Sequence, residues 1–341
     1  MPLDLARRSV TSIQLRGLMT IAYASDKNYA ALTAISAVSA LRYNPGARIV
    51  LLGYNLESDA QELVRSRVEK AGGEFVYKDV SSAIGKLVDQ DVCPYTSYAA
   101  YARIFIPDVL EEEGRILYLD CDTLVDGRLD ELFTLDLQDK PFALGYDCIL
   151  SHFKRYIRQP LELPYYNTGV MLIDLAAWRS HRCTERILAE LAHPSGPNPL
   201  GDQDIIVRVF PQETRPIDPK WNFLSQFFLL SYKGLRRIVG EGENLLFSTE
   251  AYSEARQHPV IYHFSGHTLG RPWFTSSRHP MRKRYQFVAQ SADLASAAEQ
   301  VRPMPIPYRV QYLLYRLLPQ GLFDHACRWL YRVHVRLTYK V

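Results

Sequence analysis

The sequence predicts an α/β fold, in which a doubly wound and mostly parallel sheet carries helices on both faces and a helical tail follows it. Short apolar runs alternate with amphipathic segments over the first two-thirds of the chain, as strand–helix units do. One run, residues 115–119 (RILYL), is nearly all apolar, as is usual for a central strand that helices cover on both faces. Beyond residue 280 the alternation stops, so we expect the sheet to end before that point.

Short apolar runs predict the strands, and apolar residues at helical spacing predict the helices, in order along the chain. Residues 20–25 (TIAYAS) form a short apolar run that predicts the first strand. The segment 30–43 has four aliphatic residues at helical spacing, which predicts a helix. Similar patterns predict strands at 48–53, 74–80, 115–119, 170–174 and 260–264, and helices at 57–71, near 96–111 and at 204–210.

The ends of the chain differ in character from its centre. Met19 directly precedes the first strand, so residues 1–18 are expected to be a disordered lead-in or an overcalled start. Three closely spaced prolines after residue 300 mark a linker. We therefore expect the main domain at 19–285, and a linker with a helical tail at 286–341.

Composition places the chain among ordinary globular proteins. With 341 residues, of which 47% are hydrophobic, it can bury a sizeable core without disulfide or metal support. The net charge of +3 is too small to indicate nucleic-acid binding. The five cysteines are odd in number and never spaced like zinc ligands, which is typical of reduced thiols in the cytoplasm. Neither a signal peptide nor a membrane-spanning helix is predicted, because no apolar stretch is long enough.

Two aspartates separated by one residue follow the predicted central strand. Open α/β sheets bind ligands beyond the carboxyl ends of their strands, and Asp120 and Asp122 stand at such an end. Close carboxylates repel one another unless a cation neutralises them, so the pair favours a hard divalent metal. The alternative is a turn that carries two solvated aspartates.

A histidine at another strand end is the third candidate ligand. His263 lies near the end of the run 260–264, although a histidine in such a place is more often a packed residue. An imidazole joined to two carboxylates favours manganese over magnesium, because magnesium prefers oxygen ligands. Gly266 could bring its backbone close to a phosphate, and Arg271 could bind that phosphate through charge-assisted hydrogen bonds.

Several sequence blocks match one enzyme family in their order along roughly residues 20–275. They are ASDKNYA at 24–30, YAR at 101–103, LYLDCD at 117–122, YNTGVMLI at 166–173, DQD at 202–204, and the segment from His263 to RPW at 271–273. In these blocks the chain resembles the family-8 retaining glycosyltransferases, such as glycogenin and bacterial enzymes that add galactose or glucose to lipooligosaccharide cores. The resemblance implies a single catalytic domain of GT-A type, a Rossmann-like form of the predicted sheet.

The resemblance also implies how a UDP-sugar donor would be held. Asp26 and Asn28, after the first strand, would bind its uracil and ribose. Asp120, Asp122 and His263 would bind manganese, with magnesium as the alternative, and the metal would bridge the UDP diphosphate.

Further matching positions would hold the phosphates and the sugar. Arg103 would contact the donor sugar or its phosphates, and Asn167 and Gly169 would line the sugar pocket. Asp202 would bind sugar hydroxyls, and Gln203 would lie on the sugar face opposite the leaving group. Because a glutamine is a poor nucleophile, the resemblance favours attack from the face that UDP leaves. The predicted catalytic residues are Gln203, Asp202 and Arg103.

The predicted diphosphate clamp departs from the family pattern. Gly266 and Arg271 are the clamp candidates, but the family usually has lysine in place of Arg271 and a gap shorter by two residues. Arginine binds phosphate as a fork rather than as a point charge, so His267 is a second candidate. Asp147 is a further candidate contact to the donor sugar.

Ordinary structural roles stay open for most of these positions. Asp26 could cap the helix that follows it, and Asn28 could serve a turn. Arg103 could be a solvated residue on an amphipathic helix. Residues 167–169 could form a turn before a strand, and Asp202 could cap a helix.

The tail at 308–341 is basic and aromatic. It contains six lysine or arginine residues against a single acid, Asp324, and six tyrosine or tryptophan residues are interleaved with leucines. Basic residues attract anionic headgroups, and tyrosine and tryptophan favour the membrane interface. We therefore expect a peripheral helix on the cytoplasmic face of a membrane. The alternative is a helical cap on the main domain or an oligomer contact.

Together these features predict a metal-dependent, retaining hexosyltransferase. It would transfer galactose or glucose from a UDP-sugar to a glycan acceptor, such as a lipopolysaccharide core or another glycolipid, with no nucleic-acid partner. The first alternative is a haloacid-dehalogenase-like phosphatase, which also carries D-x-D after an apolar strand, although here three strands precede it. The second is a catalytically inactive sugar-nucleotide-binding protein. A dinucleotide-dependent dehydrogenase is excluded, because the nearest glycine fingerprint, at 240–242, follows no convincing strand.

Overall fold

The computed structural model describes residues 19–88, 97–111, 113–240, 246–266 and 268–339. The predicted lead-in at 1–18 lies outside the described residues, and so do Cys93 and the second clamp candidate, His267.

The strands in the described residues form two sheets. They are β1 Thr20–Ser25, β2 Arg48–Gly53, β3 Glu74–Asp79, β4 Arg115–Leu119, β5 Thr123–Val125, β6 Phe142–Tyr146, β7 Tyr166–Asp174, β8 Thr214–Ile217, β9 Phe223–Leu224 and β10 Ile261–His263. The main sheet has the order β3-β2-β1-β4-β7-β6-β8. Its strands are parallel except β7, which runs antiparallel to β4 and β6. This mostly parallel sheet, with helices between its strands, confirms the predicted α/β fold.

Helices connect and follow these strands. The α-helices are α1 Ala30–Tyr43, α2 Ser58–Lys70, α3 Ser81–Val88, α4 Ile106–Val109, α5 Asp130–Phe133, α6 Ser151–Tyr156, α7 Leu175–Ser180, α8 Cys183–Ala192, α9 Asp202–Val209, α10 Tyr232–Val239, α11 Thr249–Gln257, α12 Arg282–Ser291, α13 Ile306–Leu317 and α14 Gln320–Tyr339. The helix predicted near 96–111 is instead a 3-10 helix, Tyr98–Phe105, that continues into α4. Pro107 lies in the first turn of α4, where its missing N–H costs no helical hydrogen bond.

Two serines of helix α1 fix the position of strand β5. The Oγ of Ser36 lies 2.8 Å from Oγ1 of Thr123, and the Oγ of Ser39 accepts a hydrogen bond from the backbone N–H of Val125 at 2.9 Å. Both serines are fully buried, and the alanines around them let the helix lie close to the strand. Helix α1 therefore determines where the chain goes directly after the two aspartates.

A second, small sheet has the order β5-β10-β9. Strand β10 is antiparallel to β5, with His263 opposite Thr123, and parallel to β9. This register places His263 beside the residue that follows Asp122. The two sheets thus meet at the predicted metal ligands.

One face of the tail packs on the main domain. Helix α14 contacts α10 and buries Phe323, Cys327 and Val335. Asp324, 1% exposed, accepts hydrogen bonds from the hydroxyl of Ser231 and from Nε2 of Gln320. This face of α14 is the helical cap that was the alternative for the tail.

The predicted boundary at residue 285 falls within helix α12, Arg282–Ser291, and the division into 19–285 and 286–341 stays a prediction. Over the part of the chain that the structure describes, every helix is too short or too polar to cross a membrane.

Candidate active site

The two predicted aspartates and the histidine meet at one point. Asp120 follows β4, Asp122 precedes β5, and His263 ends β10. His263 Nε2 lies 3.1 Å from Asp122 Oδ1 and 4.0 Å from Asp120 Oδ2. One ligand atom from each residue lies within 4.8 Å of the others, so the three side chains can bind a single cation. Two carboxylates and one imidazole suit manganese better than magnesium.

A glycine keeps the space beside these ligands open. Gly169 lies in β7, which pairs with β4, and not in a turn before the strand. A Cβ atom at this position would lie 2.2 Å from Cε1 of His263 and 2.7 Å from Oδ2 of Asp120. Any larger residue would displace two of the three ligands, so the residues present fit a metal at this point.

Two asparagines orient the imidazole. His263 Nδ1 lies 3.0 Å from Oδ1 of Asn222, whose Nδ2 donates to Oδ1 of Asn167 at 2.9 Å. Asn222 is 1% exposed, so this arrangement is held inside the protein. Because an amide oxygen only accepts, it favours the tautomer with its hydrogen on Nδ1 and leaves Nε2 for the metal.

The predicted clamp arginine lies against the candidate metal ligands. Arg271 Nη1 donates to Oδ2 of Asp122. Burial alone would raise the pKa of Asp122, but His263 and Arg271 hold it well below its ordinary range, so this carboxylate is ionised. Gly266, with φ of 81°, provides a left-handed bend between His263 and Arg271.

A buried arginine joins the first aspartate to β7. Arg103, 2% exposed, donates from Nη2 to Oδ1 of Asp120 at 2.9 Å and from Nη1 to the carbonyl of Thr168. Its guanidinium also lies 4.4 Å from the ring centroid of Tyr118. Burial alone would lower the pKa of Arg103, but Asp120 and Asp202 raise it above its ordinary value. Arg103 is therefore a charged, buried residue and not a solvated one.

Asp202 presents a buried oxygen that lacks a hydrogen-bond donor. This first residue of α9 is 3% exposed, and its Oδ2 lies 2.9 Å from Nε of Arg103. That N–H donates to the carbonyl of Ala100, so Asp202 Oδ2 accepts no hydrogen bond from the described residues. Burial raises the pKa of Asp202 to about 6, against the lowering effect of Arg103. A ligand hydroxyl would satisfy this acceptor, which is otherwise costly to bury.

Gln203 belongs to a polar network that shares Asn167 with the asparagine pair beside His263. Its Oε1 accepts hydrogen bonds from Nδ2 of Asn167 at 3.1 Å and from the N–H of Thr168 at 3.3 Å. Its Nε2 donates to the hydroxyl of Tyr165 at 3.2 Å and to Oδ2 of Asp147 at 3.4 Å. Protein donors thus occupy both lone pairs of the glutamine oxygen. Asp147 joins the network as a direct neighbour of Gln203.

The loop after β1 carries the predicted nucleotide contacts. Asp26 Oδ1 accepts from the N–H of Asn28 at 2.8 Å, and Oδ2 accepts from the hydroxyl of Ser97 at 2.5 Å. Asp26 does not cap α1, whose N-cap residue is Tyr29. Asn28 is exposed, and Tyr29 is 39% exposed. Burial and nearby charges, including that of Asp122, raise the pKa of Tyr29, so this loop borders the metal ligands.

Comparison with known protein families gives a match over most of the chain. The family described as Glycosyl transferase family 8 matches residues 20–277. The chain belongs to glycosyl transferase family 8. The resemblance that the sequence blocks indicated is therefore confirmed.

Known proteins with similar sequences differ in length and in the share that aligns with this glycosyltransferase. General stress protein A of Bacillus subtilis (strain 168) is 25% identical over 275 residues, which are 79% of this chain and 92% of that protein. The lipopolysaccharide 1,2-glucosyltransferase of Escherichia coli is 26% identical over 228 residues, covering 64% of this chain and 66% of its own length. This chain spans only 47% of glycosyltransferase GlyE of Streptococcus pneumoniae, with 25% identity over 205 residues.

A solved galactosyltransferase structure has a similar fold. The galactosyltransferase LgtC, in complex with donor and acceptor sugar analogues, matches 86% of this chain and 99% of its own chain, with a TM-score of 0.64 and 21% identity. This likeness confirms the GT-A-like fold class, with its large, mostly parallel sheet and helical C-terminal region. A glycosyltransferase of this fold and family is not a haloacid-dehalogenase-like phosphatase, so that alternative is wrong.

Sequence reasoning did not identify Asn222 as a site residue. It stands between a short 3-10 helix, Pro219–Trp221, and the two-residue strand β9, and no hydrophobic period marks it. Its role depends on the parallel pairing of β9 with β10, which places it beside His263. A pairing of two short strands that lie far apart in the chain leaves no local signal.

Proposed function

We propose that this family 8 glycosyltransferase transfers glucose or galactose from a UDP-sugar to a glycan acceptor, with retention of configuration and with manganese as its metal. The observation that carries the proposal is the meeting of Asp120, Asp122 and His263 beside Gly169. A site of two carboxylates and an oriented imidazole, with Arg271 at its edge, suits a metal-bound diphosphate.

The proposed reaction requires that the negative charge on the leaving group be stabilised. A bound manganese ion would act as a Lewis acid that stabilises the negative charge developing on UDP. Arg271 supplies a second positive charge, and its planar fork can bind two phosphate oxygens at once. Arg103 holds Asp120 in place through their 2.9 Å hydrogen bond. Such fixed charges are usually the largest contribution to catalysis.

The sugar pocket is proposed to lie between Asp202 and the Gln203 network. Asp202 Oδ2 has no donor among the described residues, so a sugar hydroxyl would complete its hydrogen bonding. Asn167 and Asp147 lie next to Gln203 and can contact further hydroxyls. Glucose and galactose differ at one hydroxyl, and we expect these carboxylates and amides to distinguish the two.

Retention is proposed to follow from attack on the face that UDP leaves. The oxygen of Gln203 is already occupied by Asn167 and by the N–H of Thr168, which makes it a poor nucleophile. The departing phosphate would then take the proton of the acceptor hydroxyl, and Gln203 would position the sugar. Asp26 and Asn28 are proposed to hold the uracil and ribose, with the exposed ring of Tyr29 beside them.

We also propose that the outer face of α13 and α14 rests on an anionic membrane surface. Large apolar side chains are exposed on these helices: Ile306, Val310, Leu313, Leu317, Leu322, Trp329 and Leu337. Arg309, Arg316 and Arg332 are exposed among them. Apolar groups that enter the headgroup region, together with arginines that attract anionic lipids, are typical of interfacial helices. A lipid-linked acceptor, such as a lipopolysaccharide core, would then be reached at the membrane.

The cytoplasmic face is the proposed side. Cys121, Cys148, Cys183 and Cys327, the cysteines within the described residues, are all unpaired. Unpaired thiols are typical of a reducing compartment.

The donor and metal are tested by UDP release from UDP-glucose, UDP-galactose and other UDP-sugars, with manganese, with magnesium and with a chelator. The variant is Asp122→Asn, which keeps the shape of the ligand and removes its charge. Asp139→Asn is the matched control, because Asp139 is exposed and has a positive φ of 59°, which asparagine tolerates well.

We expect manganese-dependent UDP release from one UDP-hexose, lost in Asp122→Asn and retained in Asp139→Asn. UDP release that is the same with and without metal, and the same in the wild type and in Asp122→Asn, would contradict the proposed site. If no UDP-sugar is turned over, calorimetry with UDP separates an inactive binding protein from a protein without a donor site.

Membrane attachment is tested by flotation with phosphatidylcholine vesicles that contain or lack phosphatidylglycerol. Leu313→Ser with Trp329→Ser changes exposed residues only, so the fold should persist. We expect the wild type to float with anionic vesicles and the double variant to remain in solution. Equal flotation of both proteins would refute the proposed membrane face.

A further inference from the structure

A cluster of basic side chains lies where helices α6 and α14 meet. The ring centroid of Tyr339, at the end of α14, lies 5.3 Å from those of Phe153 and Tyr156 on α6. Around this contact the two helices bring together five basic residues, which we call the α6–α14 cluster: His152, Arg155, Arg328, Arg332 and Arg336. Burial first, and then the four guanidinium groups, lower the pKa of His152 below its ordinary value. Arg328, Arg332 and Arg336 follow one another at four-residue spacing along one face of α14, and all four arginines lie within electrostatic range of His152.

The two helices supply no counterion to the α6–α14 cluster. Helix α6, with the sequence SHFKRY, contains no acid. The one acid of α14, Asp324, is buried against α10, where it bonds Ser231 and lies 3.9 Å from Arg237. Four arginines gathered without a carboxylate on either helix repel one another, and an anion would relieve this repulsion.

Two buried nitrogen atoms in the cluster accept or donate no hydrogen bond within the part of the chain that the structure describes. Nε2 of His152 and Nε of Arg328 are both buried, and neither has a partner among the described residues. Arg155, Arg332 and Arg336 are exposed, so a ligand from solution can reach the cluster. Guanidinium forks bind tetrahedral oxyanions through paired, charge-assisted hydrogen bonds. The arrangement suits a phosphate group, which has enough oxygens to engage several donors at once.

Tyr331 connects the α6–α14 cluster with the Gln203 network. It lies on α14 between Arg328 and Arg332. Burial raises the pKa of Tyr331, and the charges of Asp147 and Asp204 contribute to the rise, so its hydroxyl lies near both carboxylates. Asp147 is itself within 3.4 Å of Gln203. Only residues 148–150 separate Asp147 from the start of α6, so the chain leads from the Gln203 network directly to the α6–α14 cluster.

We infer that the α6–α14 cluster binds a phosphate group of the acceptor, as a monoester or a diphosphate, beside the hydroxyl that receives the sugar. This inference rests on the proposed transfer of a hexose to a glycan acceptor. A lipid headgroup carries the same phosphate chemistry, but the short connection from Asp147 to α6 favours a ligand that enters the active site.

The first test measures binding of inorganic phosphate to the full, metal-free chain by calorimetry. The cluster variant is Arg332→Gln with Arg336→Gln, both exposed. The control is Arg65→Gln with Arg182→Gln, surface arginines whose side chains are 42% and 74% exposed and whose loss removes the same charge. We expect phosphate to bind the cluster variant about tenfold or more weakly, since each charge-assisted hydrogen bond is worth more than a tenfold change, and the control to match the wild type.

Several outcomes would overturn the inference. Absence of phosphate binding to the wild type, or equal weakening in both double variants, would show that there is no specific site. If soluble phosphate does not bind, while flotation with phosphatidylglycerol vesicles is lost only in the cluster variant, the cluster serves lipid headgroups. UDP release by the wild type without cluster-dependent phosphate binding would overturn the inference and leave the proposed function intact. Phosphate binding without UDP release from any UDP-sugar would overturn the proposed function, and with it the assignment to an acceptor.

Discussion

Replacing Asn222 by alanine should weaken manganese binding although Asn222 is not a metal ligand. The Oδ1 atom of Asn222 accepts from Nδ1 of His263 at 3.0 Å, and this contact fixes both the ring orientation and the tautomer. Without it, the imidazole can rotate away from Asp122 and can carry its hydrogen on either nitrogen. Metal-binding histidines depend on such partners.

The size of the effect can be estimated from the contacts that are lost and kept. Loss of a partner of this kind typically costs about 10- to 100-fold in metal affinity, or about 1.4–2.8 kcal/mol. In the Asn222→Ala variant, Asn167 no longer receives the hydrogen bond from Nδ2 of Asn222. Its Oδ1 still accepts a hydrogen bond from the N–H of Gly169 at 3.0 Å. The sugar pocket should therefore change less than the metal site.

Manganese affinity can be measured without turnover, from the electron paramagnetic resonance signal of free Mn²⁺. The control is Asn44→Ala, which also removes a buried asparagine but one that bonds the carbonyl of Ala40 and the N–H of Leu129. We expect Asn44→Ala to lower stability and to bind manganese normally. If Asn222→Ala binds manganese as tightly as the wild type, or no more weakly than Asn44→Ala, then Asn222 does not orient His263.

Three further predictions concern the same region. Gly169→Ala should abolish manganese binding and lower stability by about 1–3 kcal/mol, because the added methyl group would overlap His263 and Asp120. A manganese titration and a melting curve that match those of the wild type would contradict this prediction. Gln203→Ala should slow UDP release by about 100-fold or less, since the side chain positions the sugar, and complete loss in a steady-state assay would instead indicate a nucleophile. Burial lowers the pKa of His279 to about 3. The folded protein therefore binds fewer protons at this histidine than the unfolded chain does. As a result, the free energy of unfolding decreases as the pH falls below about 6.5. Urea unfolding at pH 7.5 and pH 5 should show His279 contributing at most about 2 kcal/mol of that loss, and His279→Gln should reduce the difference between the two pH values.

The first four strands of the main sheet were predictable because their signals are local, whereas β6 and β8 were not predicted and β7 begins four residues before the predicted 170–174. The strands β1, β2 and β4 have the predicted bounds, and β3 ends one residue earlier than predicted. Strands β1, β2 and β4 are short, mostly apolar runs that are buried, so composition and period suffice to find them, whereas β3 is a partly exposed edge strand. Because ligands bind beyond the carboxyl ends of strands, Asp120 and Asp122 could then be predicted as site residues. The structure brings them together with His263 at the end of β10, and metal binding by the three residues stays a prediction.

The connections that complete the site were not predictable in the same way. The pairing of β5 with β10 joins segments that are more than a hundred residues apart, and each strand has only three residues. The burial of Arg103 depends on Asp120, Asp202 and Tyr118 being close together, which no sequence period reveals. Such contacts follow from the tertiary fold, and they decide which polar residues are charged, oriented or unsatisfied.

The tail is too closely joined to the catalytic domain to be a detachable anchor. Phe323, Asp324 and Cys327 are buried against the domain, and an added Cβ at Gly234 of α10 would lie 2.5 Å from Cγ of Asp324. Deleting 303–341 would therefore expose α10, and loss of membrane binding in such a deletion would not separate attachment from unfolding. The same helix places Tyr331 near Asp147, on the side of the Gln203 network. If the outer face of α14 rests on a membrane, its inner face fixes the distance and angle between that membrane and the sugar pocket, so docking would also orient the acceptor.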